Sequence, residues 1–175
     1  MTTANSVIEI GLPRNTKLII RTTNKPVIVD RSILSYANIS TSNGEIEIAN
    51  SSGDFNLSTT NSEITVQSVT GEINASTSNA HVWFEGIVDR GSNSISTTNG
   101  DVAIRLKEGS NVLVSGDTRN GDVTIDGDDS SIIKDGDTAN FIYGTGDETA
   151  TLVITNGPGA IHINPAYISV FDGDK

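Results

Sequence analysis

The chain alternates. Residues 45–48 read Glu-Ile-Glu-Ile and residues 54–57 read Asp-Phe-Asn-Leu. A period of two marks a half-buried strand, because successive side chains leave a strand on opposite faces. Ile46, Ile48, Phe55 and Leu57 therefore point one way, and Glu45, Glu47, Asp54 and Asn56 the other. The next stretch repeats the scheme with Ile64, Val66, Ile73 and Ala75 inside. Asn43-Gly44 punctuates one side of these runs and Gly53, Gly71 and Gly91 the other, residues suited to tight bends and positive φ.

The punctuation is periodic. Seven segments align on an asparagine: RTTNKPVIV, STSNGEIEI, STTNSEITV, STSNAHVWF, STTNGDVAI, DTRNGDVTI and VITNGPGAIHI. Asn24, Asn43, Asn61, Asn79, Asn99, Asn120 and Asn156 are separated by 19, 18, 18, 20, 21 and 36 residues, and the last gap is twice 18. A fixed period of this size is the signature of stacked repeats. The spacing predicts an all-β, single-domain parallel β-solenoid over residues 1–175 with coils of about 18 residues. Asn-Gly also suits two-residue hairpin turns, which would give an antiparallel meander; repetition of whole units in one phase favours parallel stacking. Residues 1–20 read as N-terminal capping strands, 21–125 as regular coils, 126–149 as an acidic loop with an extra strand, and 150–175 as the last coil and tail. Continuing the alternation carries Thr41, Thr59, Thr77 and Thr97, then the asparagines, toward the interior, where stacked amides would bond from coil to coil. Pro26 and Pro158 fall in the first and last repeats, as expected if prolines blunt the two ends and stay out of interior coils.

The recurring Ser-Thr-x-Asn-Gly-acid-(Ile/Val)-x-(Ile/Val) unit, with the terminal run YGTGDETATLVITNGPGAIHI, resembles the bacterial adhesin-labelled domains of unknown function. The resemblance covers roughly residues 20–163 and implies a right-handed β-helix with an adhesive role at the cell envelope. It brings no catalytic motif. Asn61-Ser62 and Asn79-Ala80 depart from its Asn-Gly corner.

Composition narrows the classes. Hydrophobic residues make up 35% and aromatic residues 5%, enough for a solenoid that needs only a few inward aliphatics per coil. Net charge is −11, against nucleic acid and anionic membranes as partners, since phosphate binding rests on Lys and Arg. The charge is polarised: +3 over residues 1–31, −6 over 32–100 and −8 over 101–175. There is no cysteine, hence no disulfide or thiolate metal site. No run approaches the length of a membrane helix. MTTANSVIEIGLPRN lacks the basic and apolar regions of a signal peptide, so the localisation expected is either cytoplasmic or that of an exported domain whose leader is missing.

Candidate chemistry is sparse. His81 and His162 fall at outward positions in different coils with no nucleophile and orienting acid in recognisable spacing, so an enzyme is not expected, nor any cofactor. Glu45, Glu63, His81, Asp101 and Asp122 share one outward position in successive repeats, a solvated acidic column unless a cation bridges it. Asp126, Asp128, Asp129, Asp135 and Asp137 crowd one loop and are the weak candidates for calcium, although their spacing matches neither an EF-hand nor a calcium β-roll. Trp83, the single tryptophan, faces outward beside His81 and near Glu85, where it could stack on a sugar ring or anchor a partner. Asn38-Ile39-Ser40, Asn56-Leu57-Ser58 and Asn74-Ala75-Ser76 match the glycosylation acceptor pattern in register, mostly as a by-product of the repeat.

The function expected is a non-enzymatic envelope or surface interaction module with an unknown protein or carbohydrate partner. The alternative is a structural solenoid stacking head to tail through its basic beginning and acidic end. Ice binding ranks low, because the phase turns Thr59 and Asn61 inward.

Overall fold

A computed structural model describes residues 10–125, 133–135, 137–144 and 150–163. Among them every regular element is a strand. Sheet A is nine-stranded and holds β1 (Thr16–Arg21), β3 (Leu34–Ser40), β5 (Phe55–Ser58), β7 (Ile73–Thr77), β9 (Gly91–Thr97), β11 (Val112–Thr118), β13 (Ile133–Asp135), β14 (Thr138–Tyr143) and β15 (Ala150–Asn156). Sheet B is seven-stranded and holds β2 (Val27–Asp30), β4 (Ile46–Ala49), β6 (Ile64–Thr70), β8 (Val82–Ile87), β10 (Val102–Leu106), β12 (Val123–Ile125) and β16 (Ile161–Ile163). The chain crosses from one sheet to the other at each corner, so successive repeats become successive rungs. Ile46 pairs with Ile64, Ile64 with Val82 and Val82 with Val102, all in parallel strands. The hairpin meander is thereby ruled out: the Asn-Gly corners join different sheets rather than antiparallel neighbours.

The inward residues form one continuous core between the sheets. Ile39, Ile48, Leu57, Ile64, Ile73, Phe84, Ile95 and Ile104 are all fully buried. Each such side chain contributes about 1.5–3 kcal/mol on burial, which is how a chain poor in aromatics holds together.

Two kinds of corner close each rung. At the first, Thr41, Thr59, Thr77, Thr97 and Thr118 are buried. Their hydroxyls donate to backbone carbonyls in the neighbouring rung's corner, as Thr77 Oγ1 does to Ser62 at 3.1 Å and Thr97 Oγ1 to Ala80 at 2.8 Å. The asparagine two residues on is not buried, contrary to the inward phase expected for it; the backbone turns after the threonine and presents the amide at the surface. There the amides form a chain of bonds. Asn43 Nδ2 donates to Asn24 Oδ1, Asn61 to Asn43 and Asn79 to Asn61, each at 2.7 Å, and Asn99 donates to Asn79 at 3.0 Å. Glycine after asparagine reflects close stacking: a Cβ on Gly44 would lie 2.1 Å from the Lys25 carbonyl oxygen. The second corner carries Gly53 and Gly71 at φ of 142° and 139°, with a Cβ on Gly71 meeting the Gly53 carbonyl oxygen at 2.0 Å.

The last coil in sequence is not the last in space. In sheet A, β15 lies between β9 and β11; in sheet B, β16 lies between β10 and β12. The chain skips a level after β10, builds β11 and β12 one rung further out, and returns to fill the gap. Beyond β11, β14 and β13 pair antiparallel and finish sheet A. Pro158 consequently sits in the corner of an interior rung, not at an end of the stack, and is tolerated because a corner residue needs no ladder donor. The insertion also removes Asn156 from the asparagine row. It pairs with Thr97 on one side and Thr118 on the other, so it occupies the buried threonine position. Asn120, whose threonine is Thr118, is exposed at its corner, one rung beyond the insert. At the opposite end, KLII forms β1, which is itself the first strand of sheet A, while the VIEI run lies mostly outside the described residues.

Candidate functional site

The outer face of sheet B gathers most of the outward residues of chemical interest. Its first column precedes the strands at the asparagine corner. The backbone defines its order: Ile46 N donates to Glu63 O, Ile64 N to His81 O, Val82 N to Asp101 O, Val102 N to Ala160 O and Ile161 N to Asp122 O. The column thus runs Glu45, Glu63, His81, Asp101, Ala160, Asp122. It is not the unbroken acidic row that repeat spacing suggests, because the inserted rung places Ala160 between Asp101 and Asp122. His81 Nδ1 accepts the Asp101 backbone N–H at 2.8 Å, so in the neutral imidazole the proton resides on Nε2. Asp101 Oδ1 accepts the Ala160 N–H at 2.9 Å, and its other oxygen is 3.5 Å from His81 Nδ1. Asp101 therefore clips the inserted rung to the main stack. Glu45 and Glu63 remain exposed at the start of the column.

The second column follows strand register as Ile28, Glu47, Thr65, Trp83, Ala103, His162, Thr124. Trp83 is half-buried. Ala103 also lies on the outer face, yet it is only 1% exposed, flanked by the large side chains of Trp83 and His162. The third column places Glu85 beside Gln67 and Arg105. The Glu85 side chain is 13% exposed, and its carboxylate is held by Lys107 Nζ at 2.6 Å and Arg105 Nη1 at 3.8 Å. Lys107 Nζ also donates to Ser68 Oγ at 3.0 Å.

The result is a flat patch in the middle of sheet B. An indole and an imidazole face solvent across a buried alanine, with the His81–Asp101 pair on one flank and Glu85 with its two cations on the other. Sequence spacing brought out Trp83, His81, Glu45, Glu63 and Asp101 and placed His162 outward, but it did not bring His162 beside Trp83 or single out Arg105 and Lys107. The place of His162 beside the tryptophan was not foreseen, because Trp83, its neighbour across Ala103, is 79 positions away in the chain. Among the described residues no group of three or more His, Asp or Glu could hold a metal ion. Of the calcium candidates, Asp126, Asp128 and Asp129 lie outside the described residues, Asp135 ends β13, and Asp137 is exposed just before β14.

Parallel rungs with repeated threonine–asparagine corners around an aliphatic core define a repeat protein of the β-solenoid class, in which each repeat contacts its neighbours. The chain belongs to the Toastrack DUF4097 family, a domain of unknown function whose profile matches residues 8–163. No curated protein and no solved structure is significantly similar to it.

Proposed function

We propose that this solenoid is a non-enzymatic, adhesin-like interaction module of the cell envelope that engages a carbohydrate or protein surface through the outer face of sheet B. The reading takes the coil as a right-handed β-helix with an 18-residue repeat, the hand that parallel crossovers strongly favour. One observation carries it: the chain's single tryptophan stands half-buried on the outer face at the centre of a parallel strand array. A tryptophan offers a large apolar contact at low entropic cost and is enriched among residues that dominate binding energy. The ion pairs beside it supply polar contacts that orient a ligand, and Ala103 leaves the indole edge unobstructed by a bulky neighbour.

The test compares the protein with Trp83→Ala on immobilised glycans and envelope proteins. Binding is expected to weaken at least about ten-fold, the order of a single hot-spot truncation, with the melting temperature little changed. Equal binding by both forms sinks the reading. Head-to-tail assembly ranks second. The polarised charge supports it, but the outermost strand of sheet A, β13, is only three residues long and offers little edge for a further rung to pair with.

A further inference from the structure

Among the described residues, no strand of the main stack, β1 to β10, pairs with β11, β12, β13 or β14. The sheets reach that distal unit only through β15 and β16. Segment 150–163 is therefore a wedge with two partners in each sheet: β9 and β11 for β15, β10 and β12 for β16. Val112 at the start of β11 pairs with Tyr143 on one side and Ala150 on the other, so the returning chain straddles the strand it follows. Beside the sheet pairing, Asn111 N donates to Val88 O at 2.9 Å, tying the connector 107–111 to the main stack, and Tyr143 Oη donates to Leu106 O at 3.2 Å, tying β14 to the end of β10.

The wedge fits its slot residue by residue. Leu152, Ile154, Ile161 and Ile163 continue the buried aliphatic rows, and Asp101 accepts the Ala160 N–H. These aliphatic rows and this bond fit the segment to its slot, and a second copy of the chain carries the identical segment. Nothing in the pairing requires that β15 and β16 come from the same molecule as β9 and β10.

We propose that segment 150–163 is an exchangeable rung, and that two copies of the protein form a closed dimer by each inserting it into the other's slot. Such exchange of an identical element is a low-cost route to a symmetric pair, because it re-uses contacts already optimised within one chain. The dimer would present two sheet B faces on one particle. The proposal does not depend on what those faces bind.

The chain has no cysteine, which makes the exchange readable by introduced ones. Ser96 and Thr155 pair across β9 and β15 on the outer face of sheet A. Full-length Ser96→Cys and Thr155→Cys proteins are mixed at high concentration in denaturant below the unfolding midpoint, returned to buffer and oxidised. The control replaces Ser96→Cys by Ser58→Cys, which stands two strands away in the same outward column. A disulfide-linked heterodimer is expected in about ten-fold higher yield from the first pair than from the control, since exchange holds only those two thiols together. Equal yields mean random collision and overturn the proposal, as does the absence of heterodimer from both pairs. The double variant Ser96→Cys/Thr155→Cys, oxidised at low concentration, must form its intramolecular disulfide; if it does not, the register on which the exchange rests is wrong and the proposal falls with it.

Discussion

At the level of single residues, the corner separates two roles that the alternating pattern runs together. Threonine carries the buried hydroxyl, and asparagine two positions on carries an exposed amide chain. Asn61 donates to Asn43 and accepts from Asn79, so Asn61→Ala removes two bonds at once. Water can replace both at an exposed corner, so a loss of only about 0.5–1.5 kcal/mol is expected in chemical denaturation, the net worth of one ordinary bond. Gly100→Ala is expected to cost more, about 1–3 kcal/mol, because its Cβ would lie 2.1 Å from the Ala80 carbonyl oxygen and backbone must shift to make room. A separate cluster sets an acid-side dependence. The Asn50 amide, and after it the Arg31 guanidinium, bond the Asp30 carboxylate and hold its pKa below the ordinary value. A carboxylate with a lowered folded pKa contributes stability above its unfolded pKa of about 3.9 and loses it as pH falls through the folded value. Asp30→Asn should flatten that part of the stability profile between about pH 4 and the folded pKa, and the difference should shrink in high salt because the group is exposed.

The inserted rung is where elements, rather than residues, decide the outcome. Asn156 fills a position that elsewhere belongs to threonine. Its Nδ2 donates to Ala160 O at 3.2 Å, but its buried Oδ1 has no partner. Replacing it with threonine restores the corner used by Thr97 and Thr118 and removes an unsatisfied acceptor, so Asn156→Thr is expected to raise stability by about 1 kcal/mol. A fall in melting temperature would show that the amide has a role beyond this row. The departure was visible in the sequence. Three residues carry the chain from Asn99 to the inward Val102, whereas five carry it from Asn156 to Ile161. Alignment on asparagine hides this; alignment on the aliphatics exposes it. The order of the rungs had no such signal, since a solenoid coil looks the same whether it stacks on its predecessor or on the one before. Parallel pairing, the aliphatic core and the glycine corners were legible because each is a local consequence of period two and of close backbone approach. What was not legible was anything set by which rung lies beside which: the interrupted acidic column, the His162 side of the tryptophan patch, and the clip between Asp101 and Ala160.

Taken as a whole, the molecule is polarised in charge and unequal at its two ends, and both properties bear on how copies meet. Along the sequence residues 1–31 carry +3 and residues 101–175 carry −8, which is the electrostatic case for head-to-tail association. Four large hydrophobics, Ile10, Ile19, Ile28 and Ile33, are also exposed around the first rung. These features alone would favour open head-to-tail chains, since a heterologous contact does not close on itself. Two others oppose it. Pro26 stands immediately before the edge strand β2, and sheet A ends at the other side in β13, a strand of only three residues. At physiological salt that attraction fades beyond about 8 Å, so backbone pairing at the edges would have to supply the rest. Chain growth and rung exchange therefore predict opposite behaviour in light scattering. Exchange gives a closed dimer whose mass stops at twice the monomer and is insensitive to salt once formed. Head-to-tail stacking gives a mass that climbs with concentration at low salt and collapses at high salt. The expected result is a mass that never exceeds the dimer across both conditions, and continued growth at low salt would shift the weight to the assembly reading.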